Sequence, residues 1–203
     1  MFFFFLMIIS SANLRGNTAE LPSFGDRLSG TLSIEKERKL GQQFLRSLRA
    51  RAPILDDPIL QDYLEHLIYR LAVHSELKDK RLDLVLIKNK NINAFAAPGG
   101  IIGLHNGLFL YGETEHELSA ILAHELAHLS QRHFARRMDE NKKSSVISLA
   151  GFLASIILAA TASGDAAMAA ITSTQGIAQS KALRYSRDRE AEADRVGIKT
   201  LAL

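Results

Sequence analysis

From Ser33 onward, apolar residues recur at helical spacing. Leu40, Phe44 and Leu48 stand four apart with Lys and Arg between them, which predicts an amphipathic helix. Asp56-Asp57-Pro58 marks the start of a second helix, because proline is tolerated in a first turn. Ile59, Tyr63, Leu67 and Leu71 are its expected apolar stripe. The period then changes. LDLVLI at 82–87 alternates and favours extended backbone, so a strand is predicted. In INAFAAPGGIIGLHNGLFL, residues 92–110, two apolar runs flank Pro98-Gly99-Gly100. This predicts a hairpin that turns at those three residues, so a small sheet precedes the next helix.

That helix has a start signal. Thr114 stands three residues before Glu117, the spacing of a capping box. Leu118, Ile121, Leu122 and Leu126 follow as its apolar face. Arg132, Arg136 and Arg137 fall late in the pattern, where a helix C-terminus favours cations. Residues 144–164 and 166–180 carry no charge except for Asp165 between them, and a charged helical stretch follows from Lys181. Residues 144–164 have the length of a membrane span. A single crossing there would put residues 124 and 190 on opposite sides of a bilayer. The expected arrangement is therefore a pair of apolar helices that cover the molecule or touch a membrane surface.

Composition narrows the picture. The chain has 203 residues, 47% of them apolar and 23% charged, as a globular domain does. The 25 basic residues are scattered among 22 acidic ones, with no basic stripe carrying aromatics, so a nucleic-acid partner is not expected. The absence of cysteine excludes disulfides and thiolate metal sites. MFFFFLMII, residues 1–9, is apolar but too short to span a bilayer, and Ser10-Ser11-Ala12 follows. Residues 1–12 are accordingly read as a signal-peptide-like segment of an exported protein, periplasmic or otherwise in the cell envelope. Residues 13–31 are read as a linker and 32–203 as the main domain.

The motif helix carries the candidate chemistry, His124-Glu125-x-x-His128. Positions i and i+4 share a helix face, so both imidazoles can reach one ion, and neutral imidazole suits zinc. Glu125 is offset by about 100° around the helix. It is badly placed as a ligand but near enough to act on a water as general base. A catalytic zinc needs a third protein ligand. A histidine six residues past His128, with a glycine between, would serve, but those places hold Phe134 and Gln131. His133 lies five residues past His128 and is expected on another face, as a surface residue. The other source is SRDREAEAD, residues 186–194, with Asp188, Glu190, Glu192 and Asp194. Glu190 and Asp194 share a face and Glu192 points elsewhere. One carboxylate of that pair would bind metal and the other would hold a ligating histidine by its free N–H.

HELAH at 124–128, Glu190-x-x-x-Asp194 and NAFAAPGG at 93–100 together resemble the M48 family of zinc metallopeptidases, in particular its periplasmic, BepA-like branch. The resemblance covers about residues 20–200. It implies an α+β, mostly helical zincin-type (gluzincin) fold with a small sheet beside the motif helix. It implies one Zn2+ per chain on His124, His128 and Glu190, with Glu125 as general base and Asp194 supporting the site. It also implies an edge strand for substrate at Asn93, Ala94, Phe95, Ala96 and Ala97. Members of that branch continue into a tetratricopeptide-like region, so the domain is expected to be C-terminally incomplete. The function implied is a metalloendopeptidase that cleaves misfolded or stalled exported proteins. Its expected partners are unfolded or misassembled polypeptides and membrane-surface or outer-membrane assembly proteins. A zinc-binding but inactive chaperone or adaptor is the second expectation.

Overall fold

The computed structural model describes residues 32–140, Leu153, Ala154, Ile157 and residues 176–202. The signal-like segment 1–12, the linker 13–31 and most of the two uncharged stretches lie outside the described residues. Among the described residues, no helix is long and apolar enough to cross a membrane.

Helix α1 spans Ile34–Arg51 and α2 spans Pro58–His74. Both begin as their sequences dictate. The Ser33 hydroxyl accepts from the Lys36 N–H, the Asp57 carboxylate accepts from the Leu60 N–H, and Pro58 occupies the first turn. The buried face of α2 differs from the predicted stripe. Ile59 is 84% exposed and Tyr63 is 40% exposed, whereas Leu64, Leu67, Ile68 and Ala72 are buried. A strict spacing of four drifts around a helix of 3.6 residues per turn, so a face held against a core must alternate steps of three and four.

The sheet has three strands: β1 Asp83–Ile87, β2 Ala94–Ala97 and β3 Ile101–His105. Their order is β1-β3-β2, with β3 parallel to β1 and antiparallel to β2. The predicted turn holds, because Ala97 pairs with Ile101 across Pro98-Gly99-Gly100. Both glycines have positive φ, 80° and 87°, which a Cβ would strain. The second arm of the hairpin is shorter than its apolar run suggested. Residues Gly107–Tyr111 form the short helix α3 instead. An unbroken apolar run fits a buried helical turn as well as a strand. β1 also departs from the alternation expected of it, since Leu84 to Ile87 are all buried. One side of the sheet packs with Leu64, Ile68, Leu122 and Leu126, the other with Phe44, Leu48 and Ile157, so both faces of β1 are covered.

Helix α4 spans Glu115–Ser130, α5 spans His133–Glu140 and α6 spans Gly176–Leu201. The start of α4 is a complete capping box. The Thr114 hydroxyl accepts from the Glu117 N–H at 3.3 Å, and the Thr114 N–H donates to the Glu117 carboxylate at 3.2 Å. The sequence Arg132-Arg136-Arg137 does not close that helix as expected. α4 ends at Ser130, Arg132 takes a left-handed φ of 51°, and α5 sets off in a new direction. The Arg132 side chain anchors this break, donating to the buried Glu37 carboxylate at 3.0 Å and to the Leu32 carbonyl at 2.7 Å. α4 packs most extensively on α6. Gly197 of α6 sits directly against the backbone of Ala123 and His124. This contact brings the acidic segment of α6 to the histidines of α4. The fold is therefore the expected one, mostly helical with a small sheet beside the motif helix.

Candidate metal centre

Three side chains from two helices converge. His124 Nε2 lies 3.0 Å from His128 Nε2 and 3.3 Å from Glu190 Oε2, and His128 Nε2 lies 3.5 Å from the same oxygen. A tetrahedral ion with bonds of about 2.0–2.1 Å spaces its ligand atoms by about 3.3 Å. The two nitrogens and one oxygen thus fit three corners of such a site. Two imidazoles and one carboxylate are also a donor set found at catalytic zinc, which leaves a fourth position open. Among the described residues, these three are the group able to hold a metal ion.

The offset of Glu125 is as the helix geometry required. It is not among the converging atoms, and it lies buried at the floor of the same cleft. Burial pushes its carboxyl up to about 7. The nearby His124 opposes that rise, Glu190 adds to it, and a hydrogen bond from the Ala96 backbone N–H opposes it. Asp194 accepts from His124 Nδ1 at 2.9 Å, one helical turn along from Glu190. A ring whose Nδ1–H is held by a carboxylate presents the bare Nε2, the form in which imidazole binds metal.

The cleft has a volume of about 290 Å³. Ala94 to Pro98 form one wall, and His124, Glu125, His128 and Glu190 form its base. Among the described residues β2 pairs only with β3, and its residues line this cleft, where the Ala96 N–H meets the Glu125 carboxylate. Residues 94–97 form the strand beside the cleft, and Asn93 falls just before it.

His133 corrects the sequence reading. It is not a surface residue, being only 6% exposed. Its Nδ1 lies 2.8 Å from His128 Nδ1, and its Nε2 lies 3.2 Å from Glu192 Oε2. Burial and the adjacent His128 push its pKa down to about 4, against the pull of Glu192. Five residues along a continuous helix would put the two rings on different faces. The break at Arg132 folds His133 back over His128 instead. Glu192 stays out of the metal group as expected, but it is not idle. Arg136 Nη1 donates to its Oε2 at 2.7 Å. Burial raises the Glu192 carboxyl, but Arg136 and His133 outweigh that and hold it low. No spacing rule announced this cluster, because the break that creates it uses an arginine where glycine is the usual signal.

The sequence model of Peptidase family M48 matches residues 58–203. The chain is 40% identical over 181 residues to the Beta-barrel assembly-enhancing protease of Escherichia coli (strain K12), covering 89% of this chain and 37% of that protein. It is 39% identical over 181 residues to the protein of the same name in Yersinia pestis, with the same coverage. A more distant relative is the Mitochondrial metalloendopeptidase OMA1 of Schizosaccharomyces pombe, 29% identical over 184 residues that make up 88% of this chain and 50% of that protein. The chain thus spans less than two fifths of the length of these bacterial relatives.

Proposed function

This chain belongs to peptidase family M48, and from that premise we propose that it is a zinc-dependent metalloendopeptidase. The observation that carries the proposal is the convergence of His124, His128 and Glu190 beside a buried Glu125 and an open strand edge. When bound, a zinc ion supplies Lewis acidity that polarises a carbonyl and brings the pKa of water toward neutrality. His124, His128 and Glu190 would hold it, and Asp194 fixes the His124 ring. Glu125 takes the proton of the attacking water and returns it to the leaving amine. Burial raises this carboxyl and so favours uptake of that proton, while a bound ion's charge would lower it and favour the proton's return. Beside the Ala96 N–H that meets Glu125, the outer edge of β2 offers its remaining backbone groups to an extended substrate. Such pairing tolerates many sequences and admits only chains that can present an unfolded strand.

That edge and the likeness to beta-barrel assembly-enhancing proteases support a substrate class. We assign it as misfolded or stalled exported polypeptide in the cell envelope, with membrane-surface or outer-membrane assembly proteins as partners. The apolar start of the sequence supports the location. The test is cleavage of an unfolded polypeptide such as reduced casein by the purified chain. Cleavage should be abolished by EDTA, restored by zinc and lost in Glu125→Gln with zinc retained. Stoichiometric zinc without turnover would instead support a zinc-binding chaperone or adaptor.

A further inference from the structure

We propose that His133 is a positioning residue for His128. Anchored by Glu192 and Arg136, it fixes which nitrogen of His128 carries the proton and keeps the Nε2 lone pair turned toward Glu190. The inference deepens the metalloendopeptidase reading and rests on its ligand assignment. The argument runs outward to inward from a group whose role is fixed. Arg136 is always a donor, and its Nη1 lies 2.7 Å from Glu192 Oε2. A carboxylate paired in this way only accepts. His133 Nε2, 3.2 Å from the same oxygen, must therefore carry a hydrogen. In a neutral ring the other nitrogen is then an acceptor. His133 Nδ1 and His128 Nδ1 stand 2.8 Å apart, a distance that requires one hydrogen between them. That hydrogen belongs to His128 Nδ1. His128 Nε2 is left bare, and its lone pair converges with those of His124 Nε2 at 3.0 Å and Glu190 Oε2 at 3.5 Å, three donors that a shared cation would hold together.

The two ligating histidines are thus supported by different devices of equal length of purpose. Asp194 claims the far nitrogen of His124 directly. On the Nδ1 side of His128 a second imidazole, His133, stands between the ring and Glu192 of α6. One segment of α6, Glu190 to Asp194, supplies a ligand and the anchors for both rings. The backbone device that allows this is the left-handed Arg132. It turns α5 so that the His133 ring meets the His128 ring edge-on, with centroids 4.9 Å apart.

Outer partners of metal-bound histidines typically contribute about 10–100-fold to metal affinity. His133→Phe keeps the ring volume and removes the acceptor. His133→Asn places a carbonyl oxygen where Nδ1 was. The experiment has two readouts on the full chain. Imidazole 15N shifts of the metal-free protein report the tautomer of His128. Competition with a chromophoric chelator reports the zinc dissociation constant. Wild type should show His128 protonated on Nδ1. His133→Phe should lose that preference and bind zinc about 10–100-fold more weakly, and His133→Asn should recover most of both. An unchanged His128 tautomer and a zinc affinity within about twofold of wild type in His133→Phe would overturn the proposal and leave the peptidase reading intact. Should His133→Phe fail to fold, Glu192→Gln with Arg136→Gln breaks the anchor from the surface side and is read the same way. A wild-type chain that binds no zinc would sink the metalloendopeptidase reading, and the tautomer measurement would still judge the relay.

Discussion

Gly197→Ala tests the contact that assembles the site. A Cβ at Gly197 would lie 3.2 Å from the Ala123 carbonyl carbon, 3.2 Å from the His124 nitrogen and 3.3 Å from the Ala123 oxygen. All three atoms are backbone of α4, so no flexible side chain can swing aside. The helices must separate by a few tenths of an ångström. Two effects compete. Alanine gains about 1 kcal/mol over glycine inside a helix. Overpacking a close contact typically costs about 1–3 kcal/mol. The packing cost should win, giving a net loss of about 1 kcal/mol and a fall in Tm of about 2–4 °C. The same displacement moves Glu190 and Asp194 away from the histidines, so zinc affinity should fall about tenfold. Urea unfolding of the metal-free protein and a chelator competition for zinc measure the two effects. A Gly197→Ala chain that is more stable by the full helix-propensity gain, with unchanged zinc affinity, would refute the close approach of α4 and α6.

Other outcomes follow from groups elsewhere. Arg132→Ala should cost about 1–3 kcal/mol in urea unfolding, because the largely buried Glu37 loses its cation. Adding Glu37→Leu should recover part of that loss. Burial holds the His105 pKa below its usual value, so the unfolded chain binds the extra proton as pH falls below about 6.5. The contribution of His105 to stability should therefore be level above that pH and decline on acidification through it. His105→Gln should flatten its share of the slope in a pH series of urea midpoints. Removing zinc with EDTA from protein kept in free zinc at 100 times the dissociation constant should lower stability by about 2.7 kcal/mol, read as a fall in Tm.

Much of the fold was legible because its signals are local. Ser33, Asp57-Pro58 and Thr114 with Glu117 each start a helix by satisfying donors within three residues, and Gly99-Gly100 turns the hairpin through positive φ. The converging trio of His124, His128 and Glu190 was legible for a different reason. Helical spacing places the two histidines and narrows the third donor to Glu190 or Asp194, and the family resemblance implied Glu190. What escaped depends on tertiary contacts. Ile59 and Tyr63 look like core residues by spacing, but they face outward because the core fixes the phase of α2. Gly107–Tyr111 coils although its apolar run suits a strand. His133 was misplaced because the break at Arg132 is held by Glu37, a residue 95 positions earlier in the chain.

The most direct test of the central claim joins zinc content to cleavage in one pair of proteins, wild type and Glu190→Ala. Elemental analysis after gel filtration should find one zinc per wild-type chain, together with EDTA-sensitive cleavage of unfolded casein. Glu190→Ala, folded by circular dichroism, should lose both. A Glu190→Ala chain that keeps one zinc and cleaves at the wild-type rate would contradict the two-helix metal site.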